Sequence, residues 1–89
     1  MLVHVTVSGR VQGVGFRYTT QQIAIKYNLT GWVQNQPDGT VELEVEGNKS
    51  SVDTFLKALE DSNNQFIRID DMNVETLKDN KDYKSFIIK

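Results

Sequence analysis

Residues 30–46 carry the sequence TGWVQNQPDGTVELEVE, which predicts two β-strands joined by a tight turn. At the turn, Pro37 has a fixed φ, and Asp38-Gly39 supplies the positive φ of a short hairpin. After it, apolar residues alternate with acidic ones, Val41, Leu43 and Val45 with Glu42, Glu44 and Glu46. This period of two indicates one core face and one acidic face. We expect the acidic face to be solvated rather than to bind a metal, because hard-cation sites gather ligands from a loop or several elements.

Upstream of the hairpin, the sequence predicts a strand, a glycine-containing loop and a helix. Val3, Val5 and Val7 alternate with polar residues, which indicates a strand with one buried face. After the loop, one helical face is predicted at Phe16, Thr20, Ile23, Ala24 and Tyr27. Asn28 suits the end of this helix, because its short polar side chain tolerates the left-handed conformation.

Downstream of the hairpin, a second helix and a further strand are predicted. Ser50 is the predicted N-cap of the helix, with Asp53 in its first turn. Its apolar stripe comprises Val52, Phe55, Leu56 and Leu59. Residues 66–77 look extended, with a bulge near Asp70-Asp71. Residues 78–82 are expected to form a solvated charged turn, and residues 83–89 to contain a short final strand.

The element order is therefore β-α-β-β-α-β with a short strand at the end. Two βαβ halves of this kind predict the ferredoxin-like α+β sandwich. We expect an antiparallel sheet of four to five strands with both helices on one face. The length of 89 residues predicts a single domain over residues 1–89. Because many functions occur on this fold, the fold by itself selects none.

Composition excludes several classes of function. The chain has no cysteine, so it has neither a disulfide framework nor a thiolate site. Its formal net charge of -2 argues against a non-specific nucleic-acid binder, whose surface would be basic. The first eight residues lack the pattern of a signal peptide, and no segment has the roughly 20 apolar residues of a membrane span. We expect a cytoplasmic monomer that binds neither nucleic acid nor membrane.

The loop between the first strand and the first helix has the sequence GRVQGVGFR at residues 9–17. Gly13 and Gly15 allow positive φ, and a helix that begins here presents N–H groups and a positive dipole end to an anion. Arg17 adds a planar guanidinium that binds phosphate at two points. A third glycine and a Gly-Lys pair are absent, which excludes the dinucleotide and P-loop fingerprints. The alternative is a tight turn followed by an ordinary surface arginine.

Asn35 lies at the end of the second strand, directly before the turn. Its amide offers one acceptor and two donors and does not titrate, so it can orient a water molecule but cannot act as a base. The alternative is an asparagine that caps the turn. His4 is the only histidine, and we expect it to be a surface or helix-facing residue rather than a base.

Two stretches, GRVQGVGFR at 9–17 and GWVQNQPDGTVE at 31–42, closely resemble the paired signatures of the acylphosphatases. The resemblance extends over essentially the whole chain. It implies a ferredoxin-like enzyme that hydrolyses the carboxyl–phosphate bond of small acyl phosphates without a metal or organic cofactor. It also implies that Arg17 is the catalytic, phosphate-binding arginine and that Asn35 is the catalytic residue that positions the attacking water. The phosphate cradle would comprise the backbone N–H groups of Gln12, Gly13, Val14, Gly15 and Phe16.

The chain departs from the family pattern at three places. Gln34 stands where many members have a basic residue, Ser62-Asn63-Asn64-Gln65 replaces a Gly-Pro, and Lys89 replaces a common arginine. The last change puts a terminal contact in doubt. Two other functions remain as alternatives. A non-catalytic phosphate- or anion-binding regulatory module would need Arg17 but not Asn35, and an RNA-binding domain would need exposed aromatic residues and a basic surface.

Overall fold

The computed structural model describes all 89 residues and contains two helices and five strands. The elements in chain order are β1 (Leu2–Arg10), α1 (Phe16–Lys26), β2 (Thr30–Asn35), β3 (Val41–Glu46), α2 (Lys49–Glu60), β4 (Arg68–Leu77) and β5 (Phe86–Ile88). They form one sheet with the strand order β4-β1-β3-β2-β5. The ferredoxin-like α+β fold is thereby confirmed. Neither helix has the length and apolar character that a membrane span requires.

The sheet is mixed rather than wholly antiparallel. β1 pairs antiparallel with β3 and β4, and β2 pairs antiparallel with β3, but β5 pairs parallel with β2. The reason is the short connection over residues 78–85, which leads from the end of β4 to the start of β5 at the same end of the sheet. The strands β1, β2 and β5 therefore all finish at the opposite end, where the glycine-containing loop also lies.

A single apolar core lies between the helices and one face of the sheet. It is formed by alternate residues of the strands and by one stripe of each helix, as the periodicity predicted. Its largest fully buried side chains include Phe16, Phe55, Leu43, Leu59 and Ile67. Burial of this kind stabilises by about 25 cal/mol per Å² of apolar surface. The core fixes the positions of β1, β2 and α1, whose ends carry the predicted site.

Local features of the chain test the finer sequence predictions. Asn28 has φ 59° after the last turn of α1, as predicted. The bulge is also confirmed, since Ser8 pairs with Asp71 and Gly9 with Ile69, which leaves Asp70 as the extra residue. The predicted cap of α2 is wrong. The cap is Asn48, whose side chain accepts a hydrogen bond of 2.8 Å from the Ser51 N–H.

The loop after α2, where the chain lacks a Gly-Pro, is ordered by two asparagine side chains. Oδ1 of Asn64 accepts hydrogen bonds from the N–H groups of Phe66 and Ile67 at 2.7 and 2.8 Å. Oδ1 of Asn63 accepts from the Ile69 N–H at 2.7 Å. Side-chain to backbone bonds of this type hold a turn in place without proline.

Two of the three glutamates on the acidic face of β3 are buried, contrary to the sequence prediction of a solvated face, whereas Glu42 is partly exposed. Glu44 and Glu46 are only 4% and 9% exposed, because residues 81–83 of the 78–85 connection cover them. The two carboxylate oxygens of Glu46 accept hydrogen bonds from the backbone N–H groups of Lys81 and Tyr83, at 2.6 and 2.9 Å. The predicted solvated charged turn is confirmed, because residues 78–82 are all exposed. Its polar backbone is satisfied by these buried carboxylates.

Candidate active site

A cavity of about 200 Å³ opens at the end of the sheet where β1, β2 and β5 finish. It is lined by Val11, Gly13, Gly15, Phe16, Arg17, Tyr18, Asn35 and Ile88. The fold therefore brings Arg17 and Asn35, predicted from two separate motifs, to one cavity. The side chains of Gln12 and Val14 do not line it. These two residues were predicted to contribute through their backbone N–H groups.

The floor of this cavity is a loop with free backbone donors. Gly13 and Gly15 have φ 74° and 84°, and Gly15 is the N-cap of α1 without any side-chain cap. The N–H groups of residues 12–15 donate no hydrogen bond within the chain, and those of the first helical turn have no helical partner. A Cβ at Gly13 or Gly15 would meet no atom within 4 Å, so conformation rather than space requires glycine. The arrangement suits an anion at a helix N-terminus.

Arg17 provides the positive charge of the cavity. It lies in the first turn of α1, is half-buried, and forms no ion pair with an aspartate or glutamate side chain. One Nη1–H donates to the main-chain oxygen of Lys89 at 2.9 Å, which orients the guanidinium and leaves its other donors free. The contact uses the backbone of Lys89, whose own N–H donates to the Val33 carbonyl at 2.8 Å. Lysine in place of arginine at position 89 therefore keeps this contact.

Asn35 carries an unpaired buried acceptor. Its Oδ1 is buried and has no hydrogen-bond partner in the chain. Leaving such a group unpaired costs about 1–3 kcal/mol, and each instance in a native structure requires a reason. Asn35 does not cap the turn, since Asp38 does so by accepting from the Thr40 N–H and hydroxyl at 3.0 and 2.7 Å. The Asn35 acceptor thus remains available to a donor that enters the cavity.

Gln12 joins the two halves of the site through its side chain, a role that the sequence did not predict. Its Nε2 donates to the carbonyls of Gln36 and Thr40, at 2.7 and 2.8 Å. These two residues close the hairpin turn that follows Asn35. The side chain therefore fixes the glycine-containing loop against that turn. The only sequence signal was an amide directly before Gly13, and spacing alone does not identify its acceptors.

His4 lies away from the cavity and is partly exposed on the sheet face opposite the helices, so of the two predicted placements, surface or helix-facing, only the helix-facing one is wrong. Its Nδ1 is 2.7 Å from Oε2 of Glu44. The Tyr83 hydroxyl donates to Oε1 of Glu44 at 2.6 Å, and Lys81 Nζ lies 3.0 Å from the same oxygen. Burial raises the pKa of Glu44, but hydrogen bonds from Tyr83, His4 and Lys81 outweigh burial and lower the pKa to about 2. The contacts of Glu44 with Tyr83 and Lys81 hold the 78–85 connection against the sheet, and this connection leads directly into β5.

Replacing Glu44 with glutamine is expected to remove a pH-dependent part of the stability. A carboxyl group with pKa near 4.5 unfolded and about 2 folded stabilises the native state above pH 4.5 and loses this contribution as pH falls toward 2. The difference in free energy of unfolding between wild type and Glu44→Gln should shrink by about 2 kcal/mol from pH 7 to pH 3. Urea denaturation of both proteins at pH 7 and at pH 3 measures this difference in the free energy of unfolding. The exposed Glu60→Gln serves as control, and a pH-independent difference for Glu44→Gln would contradict the account.

The fold and the cavity define a class: a ferredoxin-like α+β domain with an anion-binding cavity at one end of its sheet. Comparison with known proteins narrows this class. The family model described as Acylphosphatase matches residues 3–88. An acylphosphatase of Geobacillus kaustophilus is 50% identical over 86 residues, which cover 97% of this chain and 90% of that protein.

Solved structures agree with the sequence match. The crystal structure of acylphosphatase from Bacillus subtilis superposes with a TM-score of 0.94 at 38% identity, covering 100% of this chain and 99% of that one. An acylphosphatase from Coxiella burnetii gives a TM-score of 0.89 at 36% identity, over 99% and 90% of the two chains. The chain belongs to the acylphosphatase family. It is an enzyme that hydrolyses the carboxyl–phosphate bond of small-molecule acyl phosphates.

Proposed function

We propose that the phosphoryl group of the substrate binds in the 12–17 loop and that Asn35 positions the attacking water. The backbone N–H groups of Gln12, Gly13, Val14, Gly15 and Phe16 and the guanidinium of Arg17 hold the phosphoryl oxygens. The observation that carries this proposal is the unpaired buried Oδ1 of Asn35 in the same cavity as Arg17. An acceptor of this kind suits a water that donates to it and keeps a lone pair for attack.

Charge complementarity supports the placement of the phosphoryl group. An acyl phosphate carries its negative charge on the phosphoryl oxygens, and the loop offers several N–H donors at the positive end of α1. No aspartate or glutamate side chain forms an ion pair with Arg17. Its planar donors match two phosphoryl oxygens at once. The contact with Lys89 holds the guanidinium in place before the substrate arrives.

The chemistry needs positioning more than acid–base catalysis. The water oxygen forms a bond to phosphorus, the bond from phosphorus to the acyl oxygen breaks, and its electron pair leaves with the carboxylate. A carboxylate is a good leaving group, so no strong general acid is required. The proton of the water passes to a phosphoryl oxygen, since Asn35 does not titrate. Orientation and charge stabilisation then supply the rate enhancement, without a metal or organic cofactor in the proposed steps.

We also propose that residues 1–89 work as a single-domain monomer in the cytoplasm, without nucleic-acid partners. One apolar core spans both helices and the sheet, as expected of a single domain. The formal net charge of -2 disfavours binding to nucleic acid, because both partners would be negatively charged. Sedimentation velocity measures the oligomeric state. A dimer at the protein concentrations used for activity assays would contradict the proposed monomer.

Titration with inorganic phosphate tests the placement of the phosphoryl group. In spectra of ¹⁵N-labelled protein, we expect the largest amide shifts at residues 12–18 and at the side-chain amide of Asn35. Sodium chloride at matched ionic strength is the control, because screening alone would shift exposed charged residues throughout the chain. Shifts centred elsewhere, with the loop unaffected, would contradict the proposed phosphate site.

A further inference from the structure

The cavity has a polar part and an apolar part. The polar part is the loop, Arg17 and Asn35, to which the proposal above assigns the phosphoryl group and the water. The apolar part includes two large side chains that remain in contact with solvent, Tyr18 at 61% exposure and Ile88 at 39%. The acyl end of the substrate, which the phosphate loop does not bind, has to lie against the rest of the cavity lining.

The positions of these two residues tie them to Arg17. Tyr18 follows Arg17 in the first turn of α1, and Ile88 precedes Lys89, whose main-chain oxygen accepts the Arg17 hydrogen bond. Both residues therefore belong to the backbone segments that orient the guanidinium. A phosphoryl group bound to Arg17 places its acyl substituent within the same cavity that Tyr18 and Ile88 line.

Exposure of apolar side chains is informative here because two such side chains line one small cavity beside Arg17. The large exposed apolar residues of the chain are Tyr18, Ile25, Phe66, Val74, Ile87 and Ile88, and of these only Tyr18 and Ile88 line this cavity. A small concave site with apolar walls and a few converging polar groups is typical of small-molecule recognition. An aromatic ring can also stack on Tyr18.

We propose that Tyr18 and Ile88 form the acyl subsite, which favours acyl phosphates with an aromatic or branched apolar acyl group over acetyl phosphate. This inference rests on the proposed placement of the phosphoryl group. The apolar contacts add to binding in proportion to the acyl surface that they remove from water. Acetyl phosphate offers one methyl group to these contacts, whereas benzoyl phosphate offers a whole ring.

The test compares kcat/KM for benzoyl phosphate and acetyl phosphate in wild type, Tyr18→Ala and Ile88→Ala. The ratio of the two values should fall about 3- to 10-fold in each variant, the range expected for partial loss of apolar contact. Tyr18→Phe retains the ring and should restore most of the ratio. Matched controls are Ile25→Ala on α1 and Ile87→Ala on β5, which are exposed but lie outside the cavity and should leave the ratio unchanged.

Other outcomes separate the subsite from the proposed function. Equal losses for both substrates would mean that Tyr18 and Ile88 act only on Arg17 or the loop, which overturns the subsite and keeps the phosphate site. An unchanged ratio in both variants, with wild-type turnover intact, would also overturn the subsite alone. A folded wild type that hydrolyses both substrates but shows no phosphate-induced shift in the loop would overturn the proposed phosphate site itself.

Discussion

Replacing Arg17 with glutamine is expected to lower kcat/KM for benzoyl phosphate by about 10³-fold, because a charge-assisted, two-point contact with the phosphoryl group is lost. The neighbouring N–H donors remain, so residual activity above the uncatalysed rate should persist. Arg17→Lys restores the charge but not the planar donors, and an intermediate loss is expected. Steady-state hydrolysis followed in the ultraviolet measures all three proteins.

The control for this experiment is Arg68→Gln. Arg68 pairs with Asp70 at 3.0 Å on an exposed part of β4, away from the cavity. Its removal changes the net charge by the same amount as Arg17→Gln and should leave kcat/KM within about twofold, since surface ion pairs contribute little. Equal losses in the two variants would show that net charge, rather than a contact of Arg17, determines the rate.

Replacing Asn35 with alanine is expected to lower kcat by about 10²–10³-fold, the cost of losing one positioning contact to the reacting group. The KM should change little, since the proposed phosphate contacts are intact. The thermal midpoint should stay level or rise, because the substitution removes a buried acceptor that has no partner. A residue whose replacement strongly lowers turnover without loss of stability is typical of a functional site.

Gln34→Ala provides a matched control one residue away. Gln34 is exposed and does not line the cavity. Its kcat should stay near that of wild type. If Asn35→Ala retained full kcat and lost stability instead, Asn35 would be a structural residue and the proposed role would be wrong.

Features that depend on neighbouring residues were accessible from the sequence. Alternation in β1 and β3 gave the strand faces, and the left-handed conformation of Asn28 followed from its short polar side chain. The two long motifs also led to the family and to a cavity that contains both Arg17 and Asn35. The N-cap of α2 was less determined, because Asn48, Ser50 and Ser51 are all good caps and lie within four positions.

Features that depend on distant residues were not accessible. The alternation in β3 separated an acidic face from an apolar one, but nothing in it showed that Lys81 and Tyr83 would cover Glu44 and Glu46. The parallel pairing of β5 likewise depends on where the 78–85 connection crosses the sheet. Pairings of this kind are set by tertiary packing, which a local pattern of residues does not encode.

The contacts within the site also divide into those predictable from neighbouring residues and those that depend on distant residues. Arg17 and Asn35 were predictable as residue types that suit phosphate and water. The amide of Gln12 and the main-chain oxygen of Lys89 were not, because each bonds to a segment far away in the chain. These contacts align the loop with the hairpin turn and the guanidinium with the cavity.

The affinity for inorganic phosphate, measured by calorimetry on wild type, Arg17→Gln and Asn35→Ala, tests the division of roles most directly. The account predicts at least a tenfold loss of affinity for Arg17→Gln, since a charged partner of the anion is removed. It predicts an affinity within about twofold of wild type for Asn35→Ala, since Asn35 contacts the water rather than the phosphoryl group. Equal losses of phosphate affinity in the two variants would contradict it.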